Sequence, residues 1–466
     1  MSGIRSALSG NRGYPLLLAA ATLVFLIAQI PFLNVPLFWD ELGVYGPGIL
    51  YMVDHGPGML PSALPQDLSR GHPLLYYFLI SCIMKLSSWS VAAFRLANIA
   101  ISLLLVWATY RCSSRLLDAR AGLIAGLGVL AMPHFFPVAG LGFPEMLLSL
   151  TVLLALEAFS RHKYPAYIAW CAAALFTKES ALLVPLCCAA WALIYARPRV
   201  RGILVALSPL LLFGLFLIIQ RVQNGWFFFP LHTDYIALSG PKLLRRISKT
   251  IVFVCNTQGR SFWLIAMAIA GAALLWVRRR QFVLHPFVPL SALFCVGLMA
   301  FTSINFFMER YLIAIFPFMA VCLAMLVHAW ANVSPRIRPF AYALGFCLAL
   351  LPITQIWQRS AYELDGTYRD YVALQQEAVK YLEQELLPDE CFYANFPLYN
   401  SFQDPRLGYL SAGHELQASV VYDPAMRIAA EISPPANPSG NPDLPPERLI
   451  WERQNTVVRV RIYRWD

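Results

Sequence analysis

Charge is what this sequence has least of. Only 13% of its 466 residues are Asp, Glu, Lys or Arg, about half the roughly 25% of a soluble globular domain. That shortage excludes an ordinary cytosolic enzyme and a disordered chain, both of which depend on a polar composition. Cysteine spacing is equally uninformative. Cys82, Cys112, Cys171, Cys187, Cys188, Cys255, Cys295, Cys322 and Cys347 lie in or beside apolar segments, Cys391 alone lies in the polar tail, and no pair has zinc-finger spacing. A secreted disulfide scaffold is thereby excluded, and small packing residues are expected instead. No small-residue cleavage site precedes the Pro31, Pro36 stretch, so the apolar run after Arg5 and Arg12 reads as a retained helix rather than a signal peptide. What is present is apolar: 58% of the residues are hydrophobic and the mean hydropathy is +0.57. Repeated runs of spanning length make this a polytopic α-helical membrane protein.

Apolar runs fall at about 14–33, 91–110, 121–138, 144–160, 164–178, 180–196, 202–221, 261–277, 283–302, 311–329 and 339–356, which predicts about eleven transmembrane helices. The stretch His72 to Leu86 is shorter and carries Lys85, and charge placement decides its course. If it lies in the interface, Arg5, Arg12, Arg111, Arg115, Arg120, Arg161, Lys163, Arg197, Arg199, Arg201, Arg278, Arg279, Arg280, Arg336 and Arg338 all face the cytoplasm, as the positive-inside bias requires. One loop dissents, with Lys242, Arg245, Arg246, Lys249 and Arg260 outside, so either 241–258 is an interfacial basic helix or a re-entrant segment, or the threading fails there. The chain divides after residue 356. Residues 1–356 hold 26 Lys/Arg and 10 Asp/Glu, whereas residues 357–466 hold 10 and 16, so a cationic membrane domain is joined to an acidic tail.

This threading collects the membrane domain's acids on one side. Asp40, Glu41, Asp54, Asp67, Glu145, Glu179, Asp234 and Glu309 are outward, leaving Asp118 and Glu157 inward. Charges at membrane depth are costly and tend to mark function. The first outer loop, 34–90, is far longer than a connector and too rich in aromatic and apolar residues for disorder. Asp40 and Glu41 sit just past the first helix above a low-dielectric floor, where a raised pKa would suit a base acting on a hydroxyl. Glu145 follows Pro144 at a helix start and is a second candidate acid; together with Asp40 it would suit a divalent ion, although helix capping explains it too. Arg70, His72, Arg95, Lys178 and Arg310 emerge on the same side, as snorkelling cations or as a clamp for a phosphate at the outer leaflet. Trp39, Tyr45, Tyr76 and Glu309 are expected to shape the substrate site; Trp226 is a further ring able to stack on a sugar, although interfaces enrich aromatics anyway.

The tail reads as a small α+β domain. Tyr368 to Leu387 has helical periodicity, Cys391–Phe396, Ala418–Tyr422 and Val457–Tyr463 read as strands, and Pro434 to Pro446 is a proline-rich loop. Eleven crossings from an inside start place this domain outside, over the cavity.

The ordered set Trp39-Asp40-Glu41, Gly71-His72-Pro73-Leu74-Leu75-Tyr76-Tyr77, Arg95, Lys178 and Arg310-Tyr311 resembles the protein O-mannosyltransferase and aminoarabinose-transferase superfamily, the C-type (GT-C) glycosyltransferases that use polyprenyl-phosphate-linked sugars. The resemblance covers residues 10 to 330 strongly and the tail weakly. It implies a transferase acting at the outer face of a bacterial inner membrane, with inversion at the sugar carbon and an acceptor on a glycolipid, polysaccharide or protein. Asp40 takes the place of the acid that acts on the acceptor and Glu41 that of its neighbour. Glu145 takes the place of a second outer-loop acid that is Asp in many relatives, and Lys178 and Arg310 lie near the lipid phosphate. His72 belongs to the His-Pro motif of the first outer loop. No cofactor is strictly implied, and a divalent ion remains open. The competing reading is a lipid or sugar transporter or flippase, which internal symmetry and charges near the midplane would favour; neither is evident in the sequence.

Overall fold

A computed structural model describes residues 13–195, 198–236, 239–278, 285–386, 390–411, 416–423, 425–435, 444 and 446–465. Arg5, Arg12, Arg197, Arg279, Arg280 and most of the proline-rich loop lie outside the described residues. Among the described residues the eleven apolar runs coincide largely with helix, although the run at 121–138 is broken at 131–134. Six helices among the described residues are long and apolar enough to cross a membrane by length and composition: Gly13–Phe32, Val91–Leu116, Arg199–Asn224, Thr257–Val277, Phe287–Ile304 and Glu309–Ala331. Leu75–Ser87, Ala119–Leu130, Tyr164–Thr177 and Glu179–Tyr195 are shorter apolar helices, and Glu145–Ser160 is buried along almost its whole length at the centre of the bundle.

Short helices and kinks follow from the sequence. Ser90 and Asp118 accept the first free N–H groups of helices Val91–Leu116 and Ala119–Leu130, the satisfaction an N-terminus requires. Helix Leu75–Ser87 has 13 residues and is about 20 Å long, too short for a hydrocarbon core of about 30 Å, and it packs against helices Gly46–His55 and Val91–Leu116. Helix Gly240–Cys255 leaves Leu244, Ile247, Ile251 and Val252 exposed, alongside exposed Lys242, Arg245 and Lys249, an amphipathic arrangement suited to an interface. Arg246 turns inward and donates to the Tyr235 and Ile304 carbonyls at 3.1 and 3.2 Å.

Beyond the last apolar helix, helix Tyr368–Glu385 precedes a five-stranded sheet of order β2-β1-β3-β5-β4. Its strands are β1 Cys391–Ala394, β2 Gln417–Ser419, β3 Ile428–Ser433, β4 Leu449–Gln454 and β5 Arg459–Arg464. β1 pairs in parallel with β2 and β3, and β5 runs antiparallel to β3 and β4. The sequence pattern marks β1, β2 and β5 but not β3, which is buried on both faces and rich in alanine, nor β4, whose charged residues obscure the alternation. The sheet region locks onto the loop 34–90. Tyr409 donates to the Leu37 carbonyl at 2.9 Å, Trp89 Nε1 donates to the Arg406 carbonyl at 2.9 Å, and the Arg406 guanidinium forks onto Asp54 at 2.9 and 2.8 Å.

Cys391 and Cys347 are the exposed members of the ten cysteines, so a native thiol reports on the tail. If the tail lies outside the cell, a membrane-impermeant maleimide added to intact cells will label Cys391, and a Cys391→Ser variant will lose that signal; labelling of Cys391 only after the cells are opened would reverse the threading.

Candidate functional site

The chain enters the site through strained backbone. Trp39 adopts φ 51° and Arg70 φ 44°, left-handed values that non-glycine side chains seldom take and that cluster at functional sites. Residues Glu41–Tyr45 continue as a π-helical turn, a distortion found mostly at such sites. The result is that Asp40 and Glu41, adjacent in sequence, point to different places.

Glu41 is fully buried and receives Arg95 Nη1 at 2.6 Å. Its Oε2 accepts the Phe38 N–H at 3.0 Å, and its Oε1 also accepts the Gly142 N–H. Arg95 donates further to the carbonyls of Gly140 at 3.0 Å and Pro36 at 2.8 Å, and to Val35. One ion pair therefore ties the loop that carries Asp40 to the loop that carries Glu145. Gly142 permits this closeness, because a Cβ there would run into the Phe94 ring. Both residues were expected in the site, Glu41 beside Asp40 as one of two acids of which one does the chemistry and the other orients it or binds a cation, and Arg95 in the clamp. The geometry instead gives them a positioning role, since every charged atom is spent inside the protein.

Asp40, Glu145, Lys178 and Arg310 do come together. Lys178 Nζ donates to Glu145 Oε1 at 2.7 Å and lies 3.7 Å over the Tyr311 ring. Arg310 donates to Asp40 Oδ2, with its Nε 3.4 Å from Glu145 Oε1, and its guanidinium stacks 4.3 Å over Phe143. Arg310 and Glu145 are each about 2% exposed at the side chain, whereas Asp40 keeps 25%. Asp40 is thus the cluster's carboxylate that meets the open side. Burial pushes its carboxyl up, but the Arg310 guanidinium, aided by Arg70 and Lys178, outweighs burial and holds it below the usual carboxylate range. This corrects the expectation of a raised pKa: the low-dielectric floor is there, and so is a cation whose charge overrides it.

His72 and Arg70 lie to the side. His72 Nδ1 faces Glu179 at 3.2 Å, and its ring stacks on Tyr45 at 6.2 Å. Tyr45 is buried against Tyr77 and Phe143, and Tyr76 is buried with its hydroxyl donating to Asn98 at 2.8 Å. These two rings support the site from below, while Trp39 stands edge-on to Phe396 and Tyr371 of the tail. Glu309 does not face the cluster; its Oε2 accepts Ser360 Oγ at 2.5 Å and the Ala361 N–H at 3.0 Å. Asp40 and Glu145, the pair considered for a divalent ion, both face Arg310, and among the described residues no three His, Cys, Asp or Glu side chains form a metal-holding group. Sequence reasoning missed Glu363, whose Oε1 lies 3.8 Å from Arg310 Nη1; nothing local separates it from the tail's other acids.

Comparison with known proteins turns this geometry into a fold assignment. The chain matches ArnT from Cupriavidus metallidurans in the apo state over 97% of its own length and 98% of that chain, with a TM-score of 0.59 at 15% identity. It has the GT-C glycosyltransferase fold. ArnT from the same organism bound to undecaprenyl phosphate matches with a TM-score of 0.56 at the same coverage and identity. The Archaeoglobus fulgidus oligosaccharyltransferase complex with Zn and sulfate matches with a TM-score of 0.52 at 10% identity, over 86% of this chain and 62% of that one. The family model described as dolichyl-phosphate-mannose-protein mannosyltransferase matches residues 71–223, the part of the GT-C fold that holds His72, Arg95, Glu145 and Lys178. No curated protein sequence matches.

Removing one partner of a buried ion pair strands the other charge, at a cost of about 3–5 kcal/mol. Glu41→Gln and Arg95→Met are each expected to lower the thermal unfolding midpoint of the detergent-purified protein clearly. A midpoint unchanged from wild type would remove the pair from its structural role.

Proposed function

We propose that this protein is a membrane glycosyltransferase that moves a sugar, hexosyl or pentosyl, from a polyprenyl-phosphate-linked donor to an acceptor on the extracytoplasmic face. Residues 1–356 form the catalytic membrane domain and residues 357–466 an extracytoplasmic domain that covers the site, in a bacterial inner membrane with a cytoplasmic N-terminus. The observation that carries this reading is the pairing of a partly exposed carboxylate, Asp40, with a buried guanidinium, Arg310. A phosphate leaving group needs charge stabilisation more than protonation, and an acceptor hydroxyl needs a base, so a cation and a carboxylate at one mouth are the groups the reaction requires. ArnT in complex with undecaprenyl phosphate has the same fold, which supports the lipid-phosphate donor.

The two groups are coupled in the mechanism. Held by Arg310, Asp40 is a weak base. A donor phosphate that draws the guanidinium toward its own oxygens loosens that hold, and the Asp40 carboxylate regains basicity as the donor docks. The acceptor oxygen then attacks the anomeric carbon from the face opposite the phosphate, its proton passes to Asp40, and the carbon–oxygen bond to phosphate breaks with both electrons leaving on the phosphate. One displacement inverts the sugar carbon. Lys178, pinned between Glu145 and Tyr311, adds a fixed positive charge behind Arg310, and Arg70 and His72 line the approach from the first outer loop.

Asp40→Asn is expected to abolish transfer from undecaprenyl-phosphate-linked sugars by the purified protein, while undecaprenyl phosphate still binds; full activity in that variant would refute the assignment of the base. Lys178→Ala is expected to weaken undecaprenyl phosphate binding by about tenfold, the worth of one charge-assisted contact. An unchanged titration curve would take Lys178 out of the clamp.

A further inference from the structure

The chain returns to the site after its last apolar helix. Glu309 and Arg310 are sequence neighbours that reach the same incoming segment: Glu309 fastens Ser360 and Ala361, and Arg310 meets Glu363 at 3.8 Å. On the far side Gln258 Nε2 donates to the Leu364 carbonyl at 3.3 Å. Glu363 is thereby fixed from both flanks, with a side chain only 11% exposed.

Arg310 then stands among three carboxylates drawn from three distant parts of the chain, Asp40, Glu145 and Glu363. The second cation, Lys178, is already bonded to Glu145. Three carboxylates are in direct contact with only two cations, Arg70 acting on Asp40 from farther off, and such a local excess in a nearly dry site is relieved by one carboxyl keeping its proton. Asp40 has a direct hydrogen bond from Arg310, and Glu145 faces two cations. Glu363 has one cation at the longest of the distances, so the proton belongs there. Burial raises its carboxyl, Arg310 pulls it down, and Asp40 and Glu145 push it up again, with a net rise. The other titratable groups of the elements packed around it are engaged elsewhere. Glu309 holds Ser360, Asp365 accepts from Thr367, His134 faces Gln258, Arg260 donates to Gln258 and to the Phe253 carbonyl, Tyr371 packs against Tyr362, and Arg369 lies over Phe32. Arg310 Nε and Nη1, the atoms nearest Glu145 and Glu363, have no hydrogen-bond partner among the described residues.

We propose that Glu363 is a positioning residue of the active centre, the third carboxylate through which the C-terminal segment sets whether Arg310 is retained in the carboxylate ring or released to a donor phosphate. With its proton, Glu363 leaves Nη1 of Arg310 available to a phosphate oxygen; without it, Glu363 competes for that guanidinium. The proposal rests on the lipid-phosphate reading above, and it adds a direction: donor affinity falls as pH rises through the ionisation of Glu363.

Two measurements on the full-length protein in detergent test it. A hydrophobic carbodiimide, which attacks protonated buried carboxyls, is mapped by mass spectrometry across a pH series; modification at Glu363 that declines as pH rises is expected, with Asp40 unmodified. Undecaprenyl phosphate is titrated over the same series. Wild-type affinity is expected to fall about tenfold toward high pH, the loss of one charge-assisted contact, whereas Glu363→Gln loses that fall and keeps only the dependence set by the phosphate's own ionisation, and Glu363→Asp restores the fall. Modification at Asp40 in place of Glu363, or a pH dependence in Glu363→Gln equal to that of wild type, overturns the proposal and leaves the transferase reading standing. A wild type that is modified at Glu363 but binds no undecaprenyl phosphate at any pH overturns both.

Discussion

The architecture of the site depends on the buried pair of Glu41 and Arg95. Neither residue meets the open side of the cluster, yet between them they hold the backbone at Val35, Pro36, Phe38, Gly140 and Gly142. Those segments lead directly into Asp40 and Glu145. Two charges withdrawn from water are an expensive fastener, and a well-packed apolar pair would often be as stable. What an apolar pair lacks is direction. A guanidinium and a carboxylate engage five separate backbone groups at defined angles, and an apolar contact fixes none of them.

A second layer of charge is built on that frame, and it is deliberately unsatisfied. Glu145 Oε2 and Arg310 Nε and Nη1 are buried without hydrogen-bond partners among the described residues. Buried polar atoms are normally paired, and exceptions of this kind ask for a reason. The proposed donor phosphate supplies one, because donors already committed to the protein would have to be released before they could hold a ligand.

How legible this was from the sequence differs residue by residue. Asp40, Glu145, Lys178 and Arg310 stand at the ends of apolar runs, where any charge is conspicuous, and their common sidedness follows from the positive-inside count. The partition of Asp40 from Glu41 was not legible: it depends on the φ of Trp39 and on a π-helical turn, neither of which leaves a compositional trace. The pairing of Glu41 with Arg95 spans 54 positions, beyond the reach of any local pattern. In the tail the balance reverses. Helix Tyr368–Glu385 is plain from its periodicity, while β3 is hidden by burial on both faces, and Glu363 is one acid among sixteen.

Glu363 also shows why the tail and the membrane bundle cannot be treated as separate machines. The sheet region is fastened to the first outer loop by Arg406 and Tyr409, and Trp39, the residue before Asp40, lies between Phe396 and Tyr371. The segment between bundle and sheet reaches Arg310 directly. A displacement of the tail therefore acts on Asp40 from two sides, through the ring beside it and through the cation that restrains it. On the transferase reading proposed above, anything that shifts the tail reaches Asp40 by these two routes at once, because the same few side chains pack against both.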